Sequence, residues 1–154
     1  MSPTQSYRPE GFHTVSLHLT VSGAADYIEF LKKAFNAEEV DRAPMADGRL
    51  MHATVRIGDS PLMLNDHFPE MGSPPIPEGT WPLRINLYVP DADAVWNQAV
   101  AAGCTVVCPL QDQFWGDRYG QVRDPYGFIW SIATRKEHLN RQEIDARARQ
   151  AFGG

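Results

Sequence analysis

Hydrophobic and polar residues alternate along two segments of the chain, and helical spacing follows each of them. Residues 15–21 (VSLHLTV) and 83–89 (LRINLYV) are apolar at every second position, which predicts two strands, each with one polar face. Residues 24–35 and 91–102 are apolar at helical spacing, and Gly103 ends the second of these segments. The pattern therefore predicts the same strand–helix unit twice.

Three shorter strand-like runs follow each predicted helix. They are Glu39–Arg42, Leu50–Ile57 and Pro61–Asn65 after the first helix, and Thr105–Val107, Arg118–Arg123 and Phe128–Thr134 after the second. Turn residues separate the last two runs of each half, at 58–60 (GDS) and 124–127 (DPYG). Each half is therefore predicted to have the order β-α-β-β-β.

The two halves superpose at one constant offset along the chain. The pairs that establish it are Val15 with Leu83, Val21 with Val89, Gly48 with Gly116 and Leu64 with Ile132. Because half a chain of this size buries little apolar surface alone, we expect the two halves to associate. The predicted fold class is α+β, with two βαβββ modules.

The repeat also predicts the organisation of the chain. We expect a first module at 12–66, a Pro-rich connection at 67–82, a second module at 83–135 and a helical tail at 136–154. The tail is interpreted as a surface helix capped by Asn140, or alternatively as a helix that docks on a second subunit. The connection contains His67, Phe68, Met71 and Trp81, and it either covers a cavity mouth or only joins the modules.

Composition excludes several classes of function. The net charge is −5, from 14 basic and 19 acidic residues, so we expect neither nucleic-acid binding nor a polybasic membrane anchor. No apolar stretch approaches the roughly 18 residues of a membrane helix, and no signal-peptide pattern is visible, so we expect a cytoplasmic protein. Cys104 and Cys108 would lie about 13 Å apart along a strand, so both are predicted to be free, packing cysteines.

Three segments carry a resemblance to a known family: 51–66 (MHATVRIGDSPLMLND), 113–119 (QFWGDRY) and 119–134 (YGQVRDPYGFIWSIAT). Together with the paired βαβββ pattern, they resemble the vicinal oxygen chelate superfamily, which includes glyoxalase I, extradiol dioxygenases, and fosfomycin- and bleomycin-resistance proteins. Within it, the chain is similar to the PhnB-like branch. The resemblance spans residues 12–137 and implies an incomplete mixed β-barrel around a cavity, and a homodimer.

The resemblance also implies where a metal ion would bind. Metal-dependent members use His or Glu at four inward positions, and the strand pattern maps these positions onto Ser16, Met63, Arg84 and Ser131. None of the four is a usual ligand for a hard divalent cation. We therefore expect no metal tetrad and no cofactor, unless the ligands have been displaced to His18 or His52.

Several polar and aromatic residues are candidates for chemistry. His18 and His52 are interpreted as acid/base groups, displaced metal ligands or structural histidines, and Asn86 is the counterpart of His18. Arg84, on an inward strand face, is expected to need an anionic partner, which either the protein or a ligand supplies. Phe114, Trp115 and Tyr119 either wall a pocket or plug the end of the sheet.

Two classes of function follow. The first is a small-molecule-binding protein without the metal tetrad, whose ligand contacts the side chains of Ser16, Arg84, Asn86, Trp115, Tyr119 and Ser131. The second is a lyase, isomerase or dioxygenase-type enzyme, in which His18 or His52 moves a proton and Arg84 stabilises an oxyanion.

Overall fold

The computed structural model describes residues 6–79 and 82–153 and shows an α+β protein. The chain divides into two compact units between Ile76 and Pro77, and each unit holds one βαβββ module. The predicted fold class is therefore confirmed. The elements are β1 (Leu17–Val21), α1 (Ala24–Phe35), β2 (Glu38–Pro44), β3 (Leu50–Ile57), β4 (Ser60–Asp66), β5 (Arg84–Tyr88), α2 (Ala92–Ala101), β6 (Thr105–Asp112), β7 (Asp117–Arg123), β8 (Ile129–Arg135) and α3 (Arg141–Phe152).

The first sheet has the strand order β1-β4-β3-β2, with β1 and β4 parallel and the other pairs antiparallel. Helix α1 buries its apolar stripe, in which Tyr27 and Leu31 are fully enclosed. Pairing with β4 begins at Leu17 opposite Leu62, which leaves Val15 unpaired and 83% exposed. For this reason β1 begins two residues later than predicted. We call the face of each sheet away from its helix the open face.

The second sheet repeats this arrangement in the order β5-β8-β7-β6. His18 lies opposite Met63 in the first parallel pair, and Asn86 lies opposite Ser131 in the second. Both residues of the second pair stand at the predicted offset from those of the first, and so do the first residues of the two helices, Ala24 and Ala92. The repeat predicted from the sequence is thus confirmed in the strand register.

Strand β6 extends to Asp112, well past the predicted end at Val107. Pro109 obscures the strand pattern because proline lacks the N–H group needed for regular pairing. Two register shifts between Val106 and Gln111 accommodate it. Since β6 is an edge strand, the missing donor costs little.

A buried carboxylate connects the end of β4 to the start of α1. Asp66 is 4% exposed, and its oxygens accept hydrogen bonds from the backbone N–H groups of Gly23 at 2.8 Å, Ala24 at 3.0 Å and Leu50 at 2.7 Å. A negative charge at a helix N-terminus satisfies unpaired donors and interacts favourably with the helix dipole. Asp66 therefore fixes the helix against its own sheet.

Thr134 performs the same task in the second module, at the position that the repeat makes equivalent to Asp66. Its hydroxyl accepts a hydrogen bond from the N–H of Ala92 at 2.8 Å and donates one to the carbonyl of Val89 at 2.7 Å. The start of α2 is also capped by the side chain of Asp91, which accepts from the N–H of Ala94. In both modules, the last strand therefore holds the first turn of the helix.

The turn predicted at 124–127 is present, and its aspartate also organises the core. Asp124 is 3% exposed, and its carboxylate accepts from the backbone N–H groups of Tyr126 at 2.8 Å and Phe128 at 3.1 Å. Its second oxygen accepts from the indole N–H of Trp130, a fully buried side chain, at 2.9 Å. The sequence predicted the turn and missed this link to the core.

Helix α3 begins after Asn140, as predicted, and a capping box with Glu143 stabilises its first turn. None of its residues is buried, and its end contacts its own unit through the edge-on rings of Phe152 and Phe114, 5.4 Å apart. Docking of α3 on a second subunit stays a prediction. Among the described residues, no helix is long and apolar enough to cross a bilayer.

Phe68, near the start of the Pro-rich connection, is buried. It is 3% exposed, and the guanidinium of Arg49 lies 4.3 Å from its ring centre. A single 3-10 turn, Pro69–Met71, follows. Trp81 lies outside the described residues, and the covering of a cavity mouth by this segment stays a prediction.

The two cysteines differ in their surroundings. Both are free; Cys104 is buried, while Cys108 is exposed on the edge strand β6. The prediction that both cysteines pack in the core is wrong for Cys108, because nearly all of this edge strand faces water. Burial, aided by the nearby carboxylate of Asp124, raises the pKa of the Cys104 thiol to about 12.

We predict that Asp66→Ala lowers the free energy of unfolding by about 2–4 kcal/mol, because it leaves three backbone N–H groups without their acceptor. Urea unfolding of the full chain measures this. Asp59→Ala, in an exposed turn, is the matched control and is expected to change stability by less than about 0.5 kcal/mol. Equal stabilities of the two variants would contradict the role assigned to Asp66.

We predict that one thiol of the native protein reacts with iodoacetamide at pH 8 and that the second reacts only after unfolding. The reactive species is the thiolate, whose formation burial suppresses in Cys104, whereas Cys108 is exposed to the reagent. Peptide mass spectrometry identifies the labelled residue. Cys108→Ser should abolish native labelling, whereas rapid labelling of Cys104 in the folded Cys108→Ser variant would overturn the assignment.

Candidate functional site

The open face of the second sheet carries a chain of hydrogen-bonded polar side chains. Nε2 of Gln121 donates to Oη of Tyr119 at 2.8 Å, and the hydroxyl oxygens of Tyr119 and Ser131 are 2.9 Å apart. Ser131 is 2% exposed and Gln121 9%. The Tyr119 oxygen accepts a hydrogen bond from Gln121, so the Tyr119 hydroxyl can in turn donate its own hydrogen bond to Ser131. In that arrangement, the Ser131 hydroxyl is available to donate to a further acceptor.

Two other residues predicted to bind a ligand, Arg84 and Asn86, lie on β5 on the same face. Asn86 lies opposite Ser131, and Arg84 opposite Ile129. The expectation of a buried arginine is wrong, because Arg84 is the exposed first residue of an edge strand. Arg84 makes no ion pair with any residue in 6–79 or 82–153, so a ligand as its anionic partner stays a prediction.

The predicted aromatic cluster forms a continuous row of rings. Trp115 lies edge-on to Tyr119 at 5.4 Å on one side and to Phe114 at 5.1 Å on the other. Phe114 in turn contacts Phe152, at the end of α3. The row therefore connects the polar open face to the C-terminal helix, with Trp115 at its centre.

An open cavity of about 800 Å³ lies beside this row. Six of the side chains that line it are those of Tyr88, Trp115, Asp117, Arg135, Leu139 and Ile144. Of the two roles considered for the aromatic cluster, wall or plug, this position supports a wall for Trp115. The volume lies within the range of small-molecule sites, about 300–1,000 Å³.

A close backbone contact positions Trp115 in the cavity wall. The carbonyl of Gly116 accepts from the N–H groups of Lys136 at 2.9 Å and Glu137 at 3.0 Å. Gly116 has a φ of 99°, and a Cβ at this position would lie 2.8 Å from the carbonyl oxygen of Glu137. Only glycine fits here without displacing the backbone, so the loop and the segment after β8 are held together.

Tyr88 and Asp117 form a hydrogen-bonded pair in the cavity that the sequence did not reveal. The Tyr88 hydroxyl donates to Oδ2 of Asp117, which is 4% exposed, at 2.6 Å. The hydrogen bond to Asp117 and the partial burial of the phenol raise the pKa of Tyr88 above its usual value. The sequence held one signal for Tyr88, because this residue continues the alternation of polar positions that Arg84 and Asn86 begin in β5. Asp117 had none, since it precedes the predicted strand.

On the first sheet, the structure brings His18 and His52 together. Their ring centres are 6.0 Å apart on the open face. Nε2 of His52 lies 3.1 Å from Oγ1 of Thr54 and 3.8 Å from a carboxylate oxygen of Asp41. This set contains two imidazoles, a hydroxyl and a carboxylate, which are groups that can accept and donate protons.

The described residues do not fit the metal site that the resemblance implies. Ser16 precedes β1, and the residue opposite Met63 is instead His18. Between the two parallel strands of the first module, this position offers the imidazole of His18 and the thioether of Met63. The equivalent position of the second module offers the amide of Asn86 and the hydroxyl of Ser131. Across residues 6–79 and 82–153, no three His, Cys, Asp or Glu side chains are arranged to hold a metal ion.

Comparison with known proteins agrees with this fold. The sequence profile of the Glyoxalase/Bleomycin resistance protein/Dioxygenase superfamily matches residues 12–132. The chain belongs to this superfamily. An uncharacterized protein of Mycobacterium tuberculosis, Rv0887c, is 46% identical over 136 residues, which cover 86% of this chain and 80% of that protein.

Two solved structures share the fold of this chain. Protein PA1353 from Pseudomonas aeruginosa has a TM-score of 0.66 and 24% identity, covering 81% of this chain and 99% of that one. A PhnB protein from Bacillus cereus has a TM-score of 0.59 and 18% identity, covering 79% and 99% of the two chains. At such identities the likeness shows the fold alone, so function has to be argued from the residues of this chain.

Proposed function

We propose that this glyoxalase-superfamily protein binds a small organic molecule on the open face of its second sheet, without the metal tetrad of metal-dependent members. The observation that carries the proposal is the Gln121–Tyr119–Ser131 hydrogen-bond chain, whose central ring, Tyr119, lies edge-on to Trp115 in the wall of an open cavity. Polar groups held in fixed orientation beside an apolar wall are the usual composition of a ligand site.

Each part of this surface has a distinct role in the proposal. The Ser131 hydroxyl donates to an acceptor on the ligand, and the exposed side chains of Asn86 and Arg84 bind polar groups nearby. Trp115 packs against the apolar part. Ser16, on the other module, stays a predicted contact; its hydroxyl oxygen is buried and has no hydrogen-bond partner among the described residues. The homodimer and the cytoplasmic location also belong to the proposal.

We predict that compounds found by thermal-shift screening of the full chain bind about tenfold more weakly to Trp115→Ala, which removes the apolar wall. Tyr119→Phe should weaken them about 2–10-fold, because it breaks the hydrogen bond to Ser131. Calorimetric titration measures both effects. Tyr7→Phe changes an exposed tyrosine of the first unit and should leave affinity unchanged.

Two results would contradict this proposal. One is the absence of any ligand from a screen that spans neutral, anionic and cationic compounds. The other is a set of ligands whose affinity is the same for the wild type, Trp115→Ala and Tyr119→Phe. A circular-dichroism melt of each variant separates loss of binding from loss of folding.

The second candidate function is acid/base catalysis by the first sheet. It is favoured by the 6.0 Å approach of His18 and His52 and by the position of Asp41 beside His52. In this alternative, one imidazole accepts a proton from a molecule bound on the open face of the first sheet. Stabilisation of the resulting negative charge by Arg84, a residue of the other unit, stays a prediction. The proton acceptor is a side chain of this protein, and no step in this alternative depends on a metal.

For this second candidate, we predict that compounds bound by the wild-type protein are converted over hours, as detected by NMR, and that His18→Gln and His52→Gln abolish the conversion while binding persists. His13→Gln, an exposed histidine outside the strands, is the control and should convert them normally. Binding without conversion by the wild type supports the first candidate. Stoichiometric metal that is lost in His18→Gln would overturn both descriptions.

A further inference from the structure

The cavity beside Trp115 has an apolar lining from two directions. Trp115 and Val89 contribute from the loop before β7 and the end of β5, and Leu139 and Ile144 contribute from the segment that leads into α3 and from the helix itself. These side chains would be solvated if the cavity held only water. Burying them against an apolar body of about 10 heavy atoms is favourable because it removes apolar surface from water.

The charged groups of the cavity differ in how they are already paired. Glu137 is bound through both of its oxygens by the guanidinium of Arg147, at 3.1 and 2.8 Å. Asp117 is buried and accepts the hydroxyl of Tyr88. Arg135 is exposed, and no carboxylate among residues 6–79 and 82–153 lies within ion-pair distance of it.

This difference favours an anionic ligand over a cationic one. A cation would have to displace Arg147 from Glu137, or pass Tyr88 to reach the buried Asp117. An anion meets the guanidinium of Arg135, which presents several N–H donors to a planar carboxylate. Tyr88 already donates its proton to Asp117, so the ligand's carboxylate would rely on Arg135.

We infer that the cavity binds a small carboxylic acid with an aromatic or alkyl body, whose carboxylate pairs with Arg135 and whose body packs on Trp115, Leu139 and Ile144. The inference rests on the proposed function, because Trp115 belongs to both. It adds the chemical class of the ligand and a residue, Arg135, that the sequence did not indicate.

The test compares probes that share one body and differ in charge. Calorimetric titration of the full chain with 3-phenylpropanoate, 3-phenylpropanamide and 3-phenylpropylamine should show the carboxylate bound at least about tenfold more tightly than the other two. Octanoate and phenylacetate extend the series to other bodies. Arg135→Gln should remove the preference for the carboxylate, and Arg135→Lys should restore part of it.

Two further variants test whether the affinity changes are specific to Arg135 and to the cavity. Arg56→Gln removes an exposed arginine from the first module and should leave all affinities unchanged. Ile144→Trp fills the cavity from the poorly buried α3 and should weaken every probe. Since neither Arg135 nor Ile144 is buried, both variants are expected to fold, and circular dichroism verifies this.

The outcomes separate this inference from the proposed function. Equal binding of acid and amide, or a carboxylate preference unchanged in Arg135→Gln, overturns the inference; so does the failure of all three carboxylates to bind. If screened ligands still depend on Trp115 and Tyr119 in those cases, the proposed function stands alone. A carboxylate preference that is lost in Arg135→Gln and unchanged in Tyr119→Phe supports the inference. That result would contradict the part of the proposed function that places the ligand on the Gln121–Tyr119–Ser131 chain.

Discussion

The parallel pairing of the first and last strands of each module is the constraint on which the rest of this structure depends. Two parallel strands cannot be joined by a short turn, so the chain has to cross over through a helix and return. In both modules, a side chain at the end of the last strand, Asp66 or Thr134, holds the first turn of that helix. Helix position and strand register are thereby set together, and both repeat at the same offset along the chain.

The same pairing determines what the open faces can do. Side chains alternate along each strand, so covering one face with a helix leaves every second residue for the other face. In the first sheet, those residues bring two histidines together near Asp41. In the second, they place Tyr119, Gln121 and Ser131 in one hydrogen-bond chain. The two modules thus share a backbone plan and carry different chemistry.

The position of the cavity follows the repeat, because Trp115, Asp117 and Arg135 stand at the common offset from Asp47, Arg49 and His67, which line a cavity of the first module. Its apolar lining, by contrast, does not belong to the repeat, since Asp47 stands where the second module has Trp115. The cavity is built where residues after β8 return to the loop before β7, an approach that only Gly116 permits because its φ is positive and a Cβ would meet Glu137. Leu139, just before helix α3, and Ile144, within it, complete the lining, although none of the helix's own side chains is buried. A weakly packed helix beside a cavity can move more readily than the sheet next to it.

The amino-acid sequence by itself determined the repeated βαβββ order, the helix ends and the cap at Asn140, because periodicity and capping depend on residues that are close along the chain. Only the tertiary structure decided that Arg84 faces water, that Cys108 is exposed, that Asp124 binds Trp130 and that Tyr88, Asp117 and Arg135 share one cavity. Those outcomes depend on which strand forms an edge and on which side chains meet across long separations. Local patterns do not contain that information, because burial and charge pairing arise only when distant segments pack together.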